Sequence, residues 1–424
     1  MSIFVNIASY KDPETIPTIL DCYNKAKFKQ DIHFGVLLQE DENYSDLKLL
    51  DNKIKINFLR YDWRDSRGAC WARHTIQKLL FDNEDYYLQI DSHHRFCEHW
   101  DEILIEGITE LKHKYQSPII GGYCPGYKPN SSKLEDRPMK IVSFPEFTDL
   151  GDLMFRPQII KNHRDLQNQN TNFIPARFLS GHFIFAENSF VKECPYDPLL
   201  YFRGEELSLS ARAYTSGYDF FHPTRCIIWH EYIRASQTKH WNDHTENNGF
   251  FISSNIRSNR AKMRVRQLLG MEKQKISFEK YGLGNKRDLH EYELYAGLNF
   301  ANLLVHKNAY NVNNELPDPY LMSEKEWNEG MLKKYNIEFN IGKEYIEKLL
   351  QSNIENFGLF CYDEADKLLY RKDLKRHSLK YINKKTLKII GAMEKEPKKI
   401  SILTFEKNNI LPKHKIQPTK VYQE

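Results

Sequence analysis

The sequence holds no CxxC pair, and its seven cysteines, Cys22, Cys70, Cys97, Cys124, Cys194, Cys226 and Cys361, are odd in number and widely scattered. That excludes a disulfide-stapled scaffold and a Cys-rich zinc module. The cysteines read instead as reduced thiols, mostly small core residues, in a reducing compartment. No apolar run approaches the roughly 18 residues a membrane span needs. No basic stretch leads into an apolar one at the N-terminus, where a strand starts at once at Ile3, so no secretory leader is expected. The excess of one charge sign over the other is small as well. The formal net charge is +4 over 424 residues, which gives no reason to invoke nucleic acid as a partner. Internal repeats are missing, which excludes solenoids and propellers. The expectation is a soluble, cytoplasmic protein.

What is present is material for a substantial core. Hydrophobic residues make up 41% and aromatics 13%, more than a disordered chain carries. Short apolar strands alternate with amphipathic helices through the first third. Strands are expected at Ile3–Ile7, Ile32–Leu38, Ile54–Arg60, Tyr86–Ile90 and Pro118–Tyr123. Helices are expected at Pro13–Ala26, with Asp12 as N-cap, at Ser66–Leu80 and at Trp100–Lys114. That rhythm predicts an α/β fold with a mostly parallel sheet. Residues Asn130 to Asn170 read as long loops and edge hairpins. Strands return at Phe178–Ala186 and Ile227–Trp229, flanking a helix at Glu205–Ser216. The length suits one large domain, residues 1–305, an Asn- and Pro-rich linker, 306–319, and a small β-rich basic accessory domain, 320–424. Runs such as Phe357–Tyr362, Leu368–Tyr370 and Ile400–Phe405 supply that domain's strands. Its lysines, interleaved with Tyr381, Ile382, Ile389 and Ile390, read as a solvated face. A docking patch for an acceptor or an anionic membrane surface is the competing reading.

Five segments carry candidate chemistry. In Gln89–Phe96 an apolar strand runs into Asp91 and His93. These two share one side of an extended chain at the strand end, where open α/β sheets bind ligands. A carboxylate with an imidazole suits Mn2+ or a similar divalent ion that also holds phosphate oxygens. By itself the motif also fits a strand-end Asp beside solvated histidines. Glu205 and Glu206 open a helix, where acids complement the dipole or, functionally, meet sugar hydroxyls. His230 directly follows a buried strand and is either a third metal ligand or a satisfied polar group. Arg67 and Arg73 flank a small-residue helix start and can counter phosphate charge, or simply lie on the surface. Gly181, in Ser180-Gly181-His182, permits close approach at a strand entrance, or makes a bulge.

In this order the segments resemble a family of N-acetylglucosaminyltransferases. It includes cytoplasmic enzymes that modify a hydroxyproline of a ubiquitin-ligase adaptor, and it has bacterial relatives. The resemblance rests on Val5–Asp12, Asp65–Arg73, Leu88–His93 with Arg95-Phe96, Phe202–Glu206, Tyr281–Gly284 and Glu291–Glu293, and covers about residues 1 to 300. A more distant likeness is to the polypeptide GalNAc transferases, in which an Asp-x-His pair, a Gly-Glu segment and a later metal-binding His occur in the order of Asp91, His93 and His230. The resemblance implies a GT-A (Rossmann-like) fold and a retaining transfer from a UDP donor, with GlcNAc as the expected sugar, to an acceptor hydroxyl on a glycan or protein. It also implies a divalent metal, Mn2+ first and Mg2+ second. By the same implication Ala8, Ser9 and Tyr10 line a uridine pocket with Arg67 and Arg73. Asp91 reaches the donor, Ser180, Gly181 and His182 border its sugar, and Glu205 and Glu206 face the reaction centre. The chain departs from the Asp-x-Asp pattern of many such enzymes. A catalytically silent sugar-binding protein on the same scaffold is the alternative. A metal-dependent hydrolase would need a denser His/Asp cluster.

Overall fold

The computed structural model describes residues 1–41, 50, 52–129, 134, 139–147, 153–159, 171–234, 237–310, 319–342, 344, 345, 347, 356–375, 386–404 and 414–423. The chain divides into two compact units. The first is Met1–Ser143, Asp149–Ala296 and Leu316–Leu321; the second is Phe144–Thr148, Gly297–Glu315 and Met322–Glu424.

In the order of the chain, the strands up to His230 are β1 (Ile3–Tyr10), β2 (Ile32–Glu40), β3 (Lys55–Asp62), β4 (Tyr86–Asp91), β5 (His94–Phe96), β6 (Pro118–Gly121), β7 (Lys140–Phe147), β8 (Leu153–Ile159), β9 (Phe173–Ala176), β10 (Phe183–Glu187), β11 (Asp219–Pro223) and β12 (Ile228–His230). Eight of them build one sheet, in the order β3-β2-β1-β4-β10-β6-β11-β9. The neighbours β3/β2, β2/β1, β1/β4 and β6/β11 are parallel, while β10 runs antiparallel to both β4 and β6, and β9 antiparallel to β11. The expected α/β class is therefore present, with a mixed sheet whose first half is parallel.

The near-continuous apolar strands follow from cover on both faces. Side chains of β1 alternate between those faces. Ile3, Val5 and Ile7 pack with Ile16, Ile19 and Cys22 of helix α1 (Thr15–Lys25), and with Trp100, Leu104 and Ile108 of helix α3 (Trp100–Lys112). On the other face Phe4 meets Tyr87 and Phe81. Helix α2 (Ala69–Leu79) comes down on that face so closely that a Cβ on Gly35 would strike Phe4 at 2.2 Å and Ile76 at 3.0 Å.

Several boundaries differ from expectation. Helix α1 begins at Thr15, two residues past Pro13, because the Asp12 side chain first closes a turn on the Glu14 N–H at 3.0 Å. Helix α2 begins at Ala69 rather than Ser66, since Gly68, at φ +100°, sets the chain's entry. The strand expected from Phe178 starts at Phe183. Between 130 and 170, the described parts are β7, β8 and residues 134 and 139, and the rest of that expected loop region lies outside the described residues. So do most of the expected linker and Tyr381, Ile382 and Phe405.

The described strands of the second unit pair antiparallel. Strand Lys333–Asn340 lies between Thr386–Met393 and Pro418–Gln423, and Asn356–Tyr362 between Leu368–Lys375 and Lys399–Thr404. Alternation buries Tyr335, Ile337 and Phe339 on one strand, and Phe357, Leu359 and Cys361 on another. Several of its lysines are matched by acids: Lys367 with Glu394, Lys388 with Glu338, Lys395 with Asp363 and Lys399 with Asp366. All seven cysteines are free thiols, five of them buried. Among the described residues no helix is long and apolar enough to cross a membrane.

Candidate active site

Parallel β1, β2 and β4 deliver their C-terminal ends to one edge of the sheet. The register sets Ala8 beside Asp91 and Tyr10 beside Gln39. A cleft of about 220 Å³ opens there, with Ala8, Tyr10, Asp91, His93, His230 and Trp241 in its lining.

Asp91 ends β4 and the chain bends at Ser92 and His93 before β5 begins at His94, which keeps His93 beside Asp91. His230 arrives by tertiary pairing: β12 runs antiparallel to β5, with His230 opposite His94. Two backbone bonds pin the crossing, Glu231 N–H to His93 O at 3.1 Å and His230 N–H to Pro125 O at 3.0 Å. Nε2 of His230 then stands 3.3 Å from Asp91 Oδ2, and Nε2 of His93 stands 3.8 Å from the same oxygen. One ligand atom from each of the three residues lies within 4.8 Å of the others. Ligands about 2.1 Å from a shared ion sit in this range, and a carboxylate with two imidazoles suits Mn2+, Zn2+ or a similar cation. Burial pushes the Asp91 carboxyl up, but the His230 hydrogen bond and the Arg73 charge outweigh it and hold the group well below the usual carboxylate range. Burial pulls His230 down to about 4, against the Asp91 hydrogen bond, so its ring is neutral at pH 7 and keeps a lone pair. The donor set fits a divalent cation.

Behind this triad, Arg73 ties two acids together. Its guanidinium, 4% exposed, donates to Asp91 Oδ1 at 2.5 Å and to Glu205 Oε1. Glu205 also accepts from Tyr196 Oη at 2.9 Å, and Cys70 Sγ lies 3.4 Å away. Glu206 is placed differently. It takes the Gly181 N–H at 2.8 Å and the Tyr123 hydroxyl at 3.2 Å. Burial and then the neighbouring Glu205 charge push its carboxyl up to about 7, against the Gly181 and Tyr123 hydrogen bonds. Gly181 has no room for a side chain, since a Cβ would come 2.7 Å from Glu205 Oε1.

The expected site residues thus fall into groups. Ala8, Tyr10, Asp91, His93 and His230 line the cleft. Arg73, Glu205, Glu206 and Gly181 form the network behind it. Ser9 turns inward, its hydroxyl 2.7 Å from Thr15 Oγ1. Ser180 donates to Gly122 O at 2.7 Å. His182 is buried, accepts the Cys124 N–H at 3.3 Å and packs its ring 4.7 Å from that of His230. Arg67 is exposed, and its charge is felt at Arg257. Asp12, Arg234, Tyr123, Tyr196 and Tyr232, whose hydroxyl donates to Cys124 O at 2.8 Å beside the cleft, are not evident from the sequence. Asp12 reads there only as a cap, and the others sit in no pattern that local spacing reveals.

A sequence profile described as Glycosyltransferase (GlcNAc) matches residues 44–302, well over half of the chain. The chain belongs to this glycosyltransferase family. No curated protein matches it significantly. Among solved structures, a crystal structure of GalNAc-T7 with UDP, GalNAc and Mn2+ is similar at 14% identity and TM-score 0.49, covering 63% of this chain and 48% of that one. The glycosyltransferase thus spans about half the length of the GalNAc-T7 chain. TarS 1–349 of S. aureus in complex with UDP-GlcNAc is similar at 13% identity and TM-score 0.38, covering 66% and 69%.

Proposed function

We propose that this glycosyltransferase moves a sugar, GlcNAc in the first instance, from a UDP donor to an acceptor hydroxyl on a glycan or protein. The transfer is of the GT-A type, metal-dependent and retaining. The observation that carries the reading is the convergence of Asp91, His93 and His230 at the C-terminal end of β4, in a chain of this family.

A divalent cation, Mn2+ before Mg2+, would be held by these three residues and would supply positive charge to the leaving diphosphate. The chain's own residues do the rest. Arg73 holds Asp91 through Oδ1 and so leaves Oδ2 directed at the two histidines. Glu205, saturated by Arg73 and Tyr196, serves as the anchor of that arginine. Glu206 changes protonation near neutral pH and is the carboxylate suited to hold or take up a proton from a hydroxyl. Ala8 and Tyr10 border the nucleotide, and the β-rich second unit serves as an accessory domain. No nucleophile is assigned to the protein.

Release of UDP from a UDP-sugar panel, with and without Mn2+, tests the reading. Turnover should appear with UDP-GlcNAc and Mn2+, disappear with chelator, and fall below detection in folded Asp91→Ala. Full activity of that variant would sink the site assignment. Slow donor hydrolysis without acceptor separates an enzyme from a silent sugar-binding protein.

A further inference from the structure

Asp12 does more than close the turn before helix α1. While Oδ1 accepts the Glu14 N–H, Oδ2 lies 2.7 Å from His93 Nδ1, takes the Ser92 hydroxyl, and lies 2.9 Å from an Arg234 Nη. The Asp12 side chain is 1% exposed, so these bonds are made away from water. A neutral imidazole has a single N–H. With a carboxylate on Nδ1 that proton resides at Nδ1, and the lone pair is left on Nε2, the nitrogen facing Asp91. The same bond fixes the ring's rotation. Arg234 lies four residues past His230 and lines the cleft, so one carboxylate holds both His93 and the segment that follows His230. His230 is held differently: its own Nδ1 is buried with no hydrogen-bond partner among the described residues.

Resting on the reading of Asp91, His93 and His230 as a cation site, we propose that Asp12 is a positioning residue. It sets the tautomer and ring orientation of His93 so that Nε2 faces the cation, and Ser92 and Arg234 hold Asp12 in place for that task. Neither a cap nor a buried ion pair alone would require an imidazole as partner. The arrangement is that of a carboxylate orienting a metal-ligating histidine from behind.

The test is Mn2+ binding by the full chain, followed through the EPR signal of free Mn2+, with far-UV circular dichroism of the metal-free variants as the check on folding. Asp12→Ala should weaken Mn2+ binding about 10–100-fold. Asp12→Asn, which keeps the size and one acceptor, should fall between it and the parent. The decisive comparison is in a His93→Ala background. There, removing the Asp12 carboxylate should cost far less Mn2+ affinity than it does in the parent, because its main route to the cation is through His93. A purely structural Asp12 would give the same loss with and without His93, and that result overturns the proposal. So does an Asp12→Asn affinity within about two-fold of the parent, the margin of independent sites. If Asp12→Ala does not fold, Asp12→Asn, alone and combined with His93→Ala, decides in the same way. A parent chain that binds no Mn2+ refutes the cation site itself, whereas binding that ignores Asp12 refutes only the positioning role.

Discussion

Arg73 holds two carboxylates on one buried guanidinium. Removing it would leave Glu205 buried without its cation, and uncompensated buried charges cost about 3–5 kcal/mol. Arg73→Ala should therefore lower the denaturation midpoint by that equivalent as well as freeing Asp91, and chemical unfolding of the variant measures it. Glu206 allows a prediction with a sign. Its folded carboxyl titrates at about 7 against an ordinary 4.5, so between those pH values the folded chain keeps a proton that the unfolded chain has lost. Stability contributed by this group therefore falls as pH rises through that window and stays lower above it. Glu206→Gln should flatten this part of the stability profile. If Glu206 acts as base, activity rises with pH through about 7 in the parent, and that limb vanishes in the variant. A parent profile flat around pH 7 would remove Glu206 from proton transfer.

Elements decide where these residues can stand. The loop into α2 carries Gly68 at φ +100°, where a Cβ would approach Tyr201 O to 2.2 Å. Gly68→Ala meets both the left-handed backbone cost and a backbone clash, so it should destabilise by more than about 1 kcal/mol, seen as an earlier urea transition. Were its stability unchanged, the close seating of the Tyr201 segment against α2 would be wrong. The ladder between β5 and β12 has a comparable part in function. Three residue pairs, from Ile228 with Phe96 to His230 with His94, set the register that points His230 at Asp91. A slip of one residue would turn His230 to the opposite face.

At the scale of the molecule, a cation bound only by the folded chain must stabilise it. With Mn2+ at a hundred times its dissociation constant, the gain is about 2.7 kcal/mol. Thermal unfolding should therefore shift upward with Mn2+ in the parent and stay unmoved in His230→Ala. An equal shift in both would place the cation elsewhere.

The α/β class and most elements up to Gly121 were legible in the sequence, because the period of apolar residues is a local property and both faces of β1, β2 and β4 are covered. Asp91 and His93 were legible as a pair for the same reason, being two residues apart at a strand end. The boundaries of α1 and α2 were less so, since a side-chain turn of Asp12 on Glu14 and the φ of Gly68 shift them by a few residues, and apolar periodicity shows neither. Only the tertiary structure decided that His230 joins Asp91 across 139 residues, that Arg73 serves carboxylates and not the cleft, and that Asp12 backs His93 across 81. Those contacts arise from strand pairing and from the need of buried charges for partners, and neither leaves a spacing that a linear chain can display.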